Sequence, residues 1–302
     1  MQLSEAEIEL ARQNKSQFIS LKYLNEDGLL QQVDTAFNNL EEEKLFSFNN
    51  EINLKPIDTK GFIDPFRSLP TTSFFCENIA SKYNARRLSA KLLSKAAQPF
   101  TPVLNAELSF WVAADEDQND YTLMAEPIDI YANLRSDIIA TLEKINIKTT
   151  SHYHAITPAE SVIGIRGNNI IDLADNIIIA KFIIANIADS YGLKAQFFFH
   201  PLSNLSLIMT GNQSDIDKIC SLIQENVALS SLVVKNNRNT YGFKLSKLHN
   251  YKTTISNTTV LRISLSYCNP FIPYLAFAGL LLYNLDRKFL NNEILQYFNN
   301  KT

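Results

Sequence analysis

Two periodic patterns of hydrophobic and polar positions organise this sequence, and the longer one predicts a helix. Between Ile170 and Ser190, apolar residues recur at spacings of three and four, which predicts an α-helix over this range. Additional isoleucines widen the apolar stripe until little of the helix surface is polar, so we expect the helix to be buried. Gly192 predicts its end, and the aromatic residues of Ala195–Phe199 predict a short strand after it. The stretch before the helix, which contains His152 and His154, predicts a polar strand or turn.

The second pattern is strict alternation, which predicts two strands with one apolar and one polar side. The first strand follows Pro99, and the second lies shortly before Pro270. Successive side chains of a strand point to opposite faces of a sheet, so each apolar side should be buried. The apolar sides are Leu104, Ala106, Leu108 and Phe110 in the first strand and Leu261, Ile263, Leu265 and Tyr267 in the second, and the other sides are Asn105, Glu107, Ser109 and Trp111 and then Arg262, Ser264 and Ser266.

Local signals near the amino terminus predict a helix followed by a hairpin. Ser4 and Glu7 have the spacing of a capping box, for a helix that we expect to run to Phe18. The turn-forming residues 26–28 separate two strand-like runs, which is typical of a β-hairpin.

Three further elements are predicted in the last third of the chain. A helix is expected from Ser214 to Val227 with Ser214 as its cap, and residues 231–237 are a candidate strand. The apolar run from Pro270 to Leu285 is shorter than the roughly 20 residues that a membrane span requires. It therefore predicts a buried helix.

The composition is typical of a globular protein with one large or two modest domains. The 302 residues are 46% hydrophobic and carry a formal net charge of -3, so the chain lacks the basic footprint of a nucleic-acid-binding protein. The three cysteines form neither a disulfide framework nor a zinc motif, and the amino-terminal segment has no apolar signal region, so the cytoplasm is the expected compartment. Only 8 glycines are present, where an average usage of about 7% gives roughly 21, and no glycine-rich phosphate-binding motif is found.

The segment around the long helix resembles the central part of the glutamine synthetase family. That family has a stretch of the form HHHEVATAGQNEIG, then a buried helix, then ATFMPKP, and here the corresponding stretches read SHYHAITPAESVIG, LADNIIIAKFIIANIADSYG and AQFFFHP. Two further segments are similar to the family's D-P-F-R turn, at Asp64–Arg67, and to its N-P-Y-L-A-F helix, at Pro273–Asp286. The residues that keep their family places in and after the long helix are Ala174, Asp175, Lys181, Asn186, Ala188, Gly192, Phe197 and Pro201.

The resemblance implies an α+β, glutamine-synthetase-like fold in two domains. It predicts a small N-terminal β-grasp-like domain over residues 1–98 and a larger catalytic-like domain over residues 99–302, with an antiparallel curved sheet and flanking helices. The larger domain is shortened relative to the family. The family is an ATP-dependent glutamate–ammonia ligase of nitrogen metabolism that uses Mg or Mn and assembles into homo-oligomeric rings.

The resemblance also implies which residues remain of the family's site. Glu107 keeps the first of two metal-binding glutamates and is the candidate metal ligand. His152 falls on a phosphate-contacting histidine and is the candidate nucleotide-binding residue. His154 falls on a metal-binding glutamate and is an alternative metal ligand. The two histidines share one side of the predicted strand, which also suits a metal pair, but the sequence offers no third ligand for it.

Most other ligand positions of the family carry residues that cannot do the same chemistry. Ser109 stands in place of the second glutamate and Val162 in place of a further metal-binding glutamate, and we expect Glu160 on the other side of that strand. Ile263 stands in place of another metal-binding glutamate, and Leu265 in place of a substrate-binding arginine. Two more replacements are Asn25 for the ammonium-site aspartate and Ser206 or Ile208 for a metal-binding histidine.

These replacements predict a catalytically inactive member of the family with a binding, regulatory or assembly role. Such a protein has no catalytic residue and no resident cofactor, and it binds neither nucleic acid nor membranes. Its expected partner is a second copy of itself or an active paralogue. Two alternatives stay open. One is an active ATP-dependent glutamate–ammonia or glutamate–amine ligase with displaced ligands for Mg or Mn, and the other is a decayed gene product.

Overall fold

A computed structural model divides the chain into two compact units, Met1–Leu88 and Ser89–Thr302. The described residues are 3–25, 28–38, 52–81, 84–95, 103–112, 122–157, 159–197, 205–225, 231–235, 240–252, 259–267 and 274. The expected domain boundary between residues 98 and 99 lies outside the described residues and stays a prediction.

The described part of the first unit contains a helix and a mixed four-stranded sheet. The helix is α1 (Glu5–Gln13), and the strands are β1 (Phe18–Leu24), β2 (Leu30–Ala36), β3 (Leu54–Ile63) and β4 (Thr71–Asn78). Their order in the sheet is β2-β1-β4-β3, with β1 parallel to β4 and the outer pairs antiparallel. Two hairpins thus meet at a parallel central pair, as expected of a β-grasp-like unit.

The amino-terminal predictions are confirmed, apart from the end of the helix. Ser4 N donates a hydrogen bond to Glu7 Oε2 at 2.6 Å, and Glu7 N donates to Ser4 Oγ at 3.4 Å, so both halves of the capping box form. Helix α1 ends at Gln13 rather than at Phe18, because Lys15 has a φ of 51° and turns the chain into β1. The β1–β2 hairpin is antiparallel along its whole length.

A buried ion pair lies at the centre of this sheet. Lys22 Nζ is 3.0 Å from Asp64 Oδ2, and the two side chains are 4% and 1% exposed. Ser73 Oγ donates to the same carboxylate at 2.8 Å, and Phe66 N donates to it at 3.1 Å. Burial lowers the pKa of Lys22, and the charge of Asp64 opposes that shift. The D-P-F-R turn therefore supports the fold of this unit.

The second unit is built on one antiparallel sheet with helices packed on it. The strand order is β6-β7-β5-β8-β11-β10-β9, and every neighbouring pair is antiparallel. The predicted α+β class, with a small sheet first and a larger antiparallel sheet after it, is confirmed. Helix α2 (Ala85–Lys95) contains the boundary between Leu88 and Ser89. The strands of the second unit are β5 (Val103–Trp111), β6 (Thr149–His154), β7 (Glu160–Gly167), β8 (Leu205–Gly211), β9 (Ser231–Lys235), β10 (Thr240–Lys252) and β11 (Thr259–Tyr267), and its other helices are α3 (Ala132–Lys144), α4 (Ile170–Ser190) and α5 (Gln213–Glu225).

One face of the large sheet is apolar and is covered by α3, α4 and α5. The start of α4 approaches β7 so closely that a Cβ atom at Gly167 would lie 2.5 Å from Leu173 Cβ. Both strands predicted from alternation turn their apolar side to this face, so that prediction is confirmed. The members of the apolar face that are at most 6% exposed include Leu104, Ala106, Leu108, Phe110, Ile163, Ile165, Leu207, Met209, Leu261, Ile263 and Leu265.

Helix α4 has the bounds that its periodicity predicts. Asn169 Oδ1 caps its start by accepting hydrogen bonds from Ile171 N at 3.0 Å and Asp172 N at 2.9 Å. The helix ends at Ser190, and Gly192 follows with a φ of 73°, a conformation that favours glycine at this position. Its core-facing residues are fully buried, because the widened apolar stripe leaves no extended polar side.

The prediction of a short strand at Ala195–Phe199 is wrong for the part that the structure describes. Gln196 forms a single bridge to Trp111, with Gln196 N donating to Trp111 O at 2.7 Å, and the flanking residues do not continue a ladder. The predicted helix after Pro270 lies outside the described residues except for Tyr274. Within the described part of the chain, no helix combines the length and the hydropathy that crossing a bilayer requires.

Helix α5 begins one residue earlier than predicted and has a different cap. Asn212 Oδ1 accepts a hydrogen bond from Asp215 N at 2.9 Å, so Asn212, and not Ser214, caps the helix. Asn212 Nδ2 also donates to the Asp215 carboxylate at 2.7 Å. The candidate strand at residues 231–237 is confirmed over Ser231–Lys235, which form β9, and its last two residues lie outside the described residues.

Candidate functional site

The second face of the large sheet, which we call the polar face, carries the charged residues of the candidate site. Directly paired residues of neighbouring strands share a face. Glu107 is paired with Gly164 on β7 and with Ser206 on β8, and Ser206 is paired with Ser264 on β11. The polar face therefore extends from β6 to β11. Its members are Asn105, Glu107, Ser109, Trp111, Tyr153, Glu160, Val162, Gly164, Arg166, Ser206, Ile208, Arg262 and Ser264.

Glu107 is the centre of a three-residue cluster on this face. Tyr153 Oη donates a hydrogen bond to Glu107 Oε2 at 2.7 Å. Arg262 Nη2 donates to the same oxygen and forms an ion pair with it. The Glu107 side chain is 13% exposed and that of Arg262 is 31% exposed. The candidate metal ligand is thus already paired with a cation that belongs to the chain.

The cluster changes the proton affinity of both of its other members. Burial, followed by the hydrogen bond to Glu107, raises the pKa of Tyr153 to about 12. Burial alone would lower the pKa of Arg262, but the charge of Glu107 and the hydrogen bonds within the cluster raise it overall. Tyr153 is therefore a hydrogen-bond donor, and Arg262 a cation, throughout the neutral range.

The assignment of Ile263 and Leu265 to ligand positions of the site is wrong. Both residues are 0% exposed on the apolar face, and the polar face instead carries Arg262 and Ser264. A shift of one residue moves every side chain of a strand to the other face, and burial under the helices fixes which set points inward. On β11 the polar face is therefore basic and hydroxyl-bearing rather than hydrocarbon.

The expectation that Glu160 lies on the other side of β7 from Val162 is also wrong. Ser109 is paired with Val162 and Trp111 with Glu160, because residues two apart on a strand share a face. Glu160 is 5% exposed, and its Oε2 has no hydrogen-bond partner among the described residues. Burial raises the pKa of Glu160, and hydrogen bonds from Thr157 and Ser109 oppose the rise.

His152 and His154 lie on the opposite side of β6 from the cluster. Tyr153 is paired with Val162 on the polar face, whereas His152 is paired with Ile163 and His154 with Ser161, both of which belong to the helix-covered face. The structure thus brings neither histidine together with Glu107. As predicted, the two histidines share one side of the strand.

The surroundings of the two histidines are those of the sheet–helix interface. His154 is 2% exposed, and its Nδ1 is 3.0 Å from Ala155 O. Burial and then the charge of Arg135 lower the pKa of His152, and the charge of Asp129 opposes this. Nδ1 of His152 has no partner among the described residues.

A buried ion pair beneath β7 holds helix α3 to the sheet. Arg135 Nη1 donates to Asp129 Oδ1 at 3.1 Å and to Ser161 Oγ at 3.3 Å, and Arg135 is 1% exposed. This pair was not predicted from the sequence, since nothing in the pattern of α3 marks a buried arginine. Burial is the main cause of the lowered pKa of His152, and the charge of Arg135 adds to it.

The residues of the polar face do not fit a pair of divalent cations. Hard cations such as Mg²⁺ and Mn²⁺ require oxygen ligands, mostly carboxylates, and beside Glu107 the face offers Ser109, Val162 and Ser206. Next to these residues on the same face lie Ile208 and Arg262, which are paired with each other. Across the described ranges, no group of three His, Cys, Asp or Glu residues could hold a metal ion.

Sequence reasoning did not single out Tyr153 and Arg262. Tyr153 stands between the two histidines, and the pattern alone did not connect it with Glu107. The alternation of β11 did place Arg262 on its non-apolar side. That alternation was the signal that could have identified Arg262, because the non-apolar side of a half-buried strand is the side that can face a site.

Comparison with protein families and curated proteins identifies relatives of this chain. Residues 84–208 match the family model for the glutamine synthetase catalytic domain. The chain is 31% identical to the glutamine synthetase of Methanocaldococcus jannaschii over 96 residues, which are 32% of this chain and 20% of the relative. It is 25% identical to the glutamine synthetase of Rhodobacter capsulatus, over 53% of this chain and 45% of the relative. The matches thus span less than half of the length of either relative.

Solved structures share the fold over nearly the whole chain. A Plasmodium falciparum glutamine synthetase superposes with a TM-score of 0.68 and 14% identity, over 97% of this chain and 76% of that chain. A GmaS/ADP complex superposes with a TM-score of 0.66 and 12% identity, over 96% of this chain and 86% of that chain. The predicted glutamine-synthetase-like fold is confirmed.

Proposed function

Since the chain belongs to the glutamine synthetase family, we propose that it is a catalytically inactive member with a binding or assembly role. The observation that carries the proposal is the cluster of Glu107 with Arg262 and Tyr153. The carboxylate that the resemblance identifies as a metal ligand is neutralised by a guanidinium of the same chain. A divalent cation would have to displace that guanidinium and leave it beside a second positive charge.

The chemistry of the family depends on the charges that this face lacks. Phosphoryl transfer is mainly a matter of positioning and of neutralising charge, which metal ions and basic side chains supply. Removing one donor to a developing charge typically costs about 2.7 to 4 kcal/mol of transition-state stabilisation. Effects within one catalytic unit are not additive. Even so, Ser109, Val162 and Ser206 offer no carboxylate to a metal ion.

The proposal also covers cofactors, location and partners. The protein has no resident metal ion, and it does not use ATP with Mg or Mn as a ligase does. It acts in the cytoplasm, and its partner is a second copy of the chain or an active paralogue. Neither His152 nor His154 contacts a nucleotide or a metal ion, because both lie on the helix-covered side of β6.

The decisive experiment measures phosphate release from ATP. The purified protein is incubated with ATP, glutamate, Mg²⁺ or Mn²⁺, and ammonia or a primary amine, and the Rhodobacter capsulatus glutamine synthetase is assayed in parallel as the positive control. We expect no release above the rate without protein. Release that needs glutamate and an amine together, and that Glu107→Ala abolishes, would overturn the proposal in favour of an active ligase.

A second measurement addresses the assembly role. Light scattering after size-exclusion chromatography gives the molar mass of the protein alone and of a mixture with an active family member. A particle of defined molar mass that is larger than the monomer, in the protein alone or in the mixture, supports assembly. A monomer that leaves the paralogue unchanged argues against it, and a poorly soluble, heterogeneous sample points to a decayed gene product.

A further inference from the structure

We draw no further inference here: the strongest candidate, the exposed apolar segment that precedes α3 and contains Leu123, Ile128 and Ile130, carries none, because nothing in the described part of the chain shows what covers it.

Discussion

Arg262 on β11 and Glu107 on β5 form an ion pair across β8, the strand that lies between them in the sheet. Tyr153 on β6 reaches the same carboxylate from the other side, across β7. One carboxylate oxygen thus connects both halves of the polar face. The pair is partly exposed, so its contribution to stability should lie between those of surface and buried ion pairs.

Removing the cation of this pair should destabilise the fold. We expect Arg262→Ala to lower the free energy of unfolding by about 1 to 3 kcal/mol, because Glu107 keeps its charge without its main partner. Urea denaturation at pH 7 measures the change. A double-mutant cycle with Glu107→Gln isolates the pair, and effects that simply add would show that the two side chains do not interact.

The buried pair of Lys22 and Asp64 should contribute more to the free energy of unfolding than an exposed pair of the same unit. We expect Asp64→Ala to cost about 3 to 5 kcal/mol, since it leaves a buried ammonium without its partner. Asp34→Ala breaks the exposed pair with Arg67 and should cost less than about 1 kcal/mol. Thermal and urea unfolding of both variants check the order. Equal losses would contradict the burial of Lys22.

Ionisation of Tyr153 should reduce stability at high pH. The folded-state pKa is about 12, above the value of about 10 for an unfolded chain. Because the folded value is the higher one, the stabilisation is fully present below pH of about 10 and is lost as the pH rises towards 12. Urea unfolding of the wild type should therefore depend more steeply on pH in this window than unfolding of Tyr153→Phe.

A spectroscopic titration of the tyrosines also tests the raised pKa of Tyr153, and it again needs Tyr153→Phe as its control. The chain has 12 tyrosines, so only the difference between the tyrosinate titrations of the wild type and Tyr153→Phe reports on this residue. The difference should titrate above the range of an ordinary tyrosine. A midpoint near 10 would contradict the burial of Tyr153 and its hydrogen bond to Glu107.

The close approach of α4 to β7 should make Gly167 intolerant of any side chain. A Cβ atom at this position would lie 2.5 Å from Leu173 Cβ and 2.6 Å from Leu173 Cα, so Gly167→Ala must push the helix and strand apart. We expect a loss of about 1 to 3 kcal/mol, as for other overpacked cores. Gly211→Ala is the matched control, because its nearest contact would be an ordinary 3.7 Å to Ile216. Equal stabilities of the two variants would contradict this packing.

Elements that carry a strong period and a buried side were predicted well from the sequence. The bounds of α4 and the two sides of β5 and β11 follow from where apolar residues recur. Strand β10 was not predicted. Its ladder with β11 contains a register shift between Leu245 and Lys247, and such an irregularity interrupts the period-2 signal.

The candidate site was harder to predict, for two physical reasons. Its partners are distant in sequence: Glu107 and Arg262 meet only because β5, β8 and β11 lie side by side. The register of β11 was also counted from the resemblance, which placed Ile263 and Leu265 on the polar face. In the structure, burial against the helices determines which side chains of β11 point inward, because exposing Ile263 and Leu265 would lose hydrophobic stabilisation.

The guanidinium beside Glu107 differs from a bound ion in one further respect. The occupancy of a metal site rises and falls with the supply of the ion and with competing chelators. A charge on the polypeptide is instead present in every copy that folds, so the pairing of Glu107 with Arg262 does not depend on the supply of metal ions.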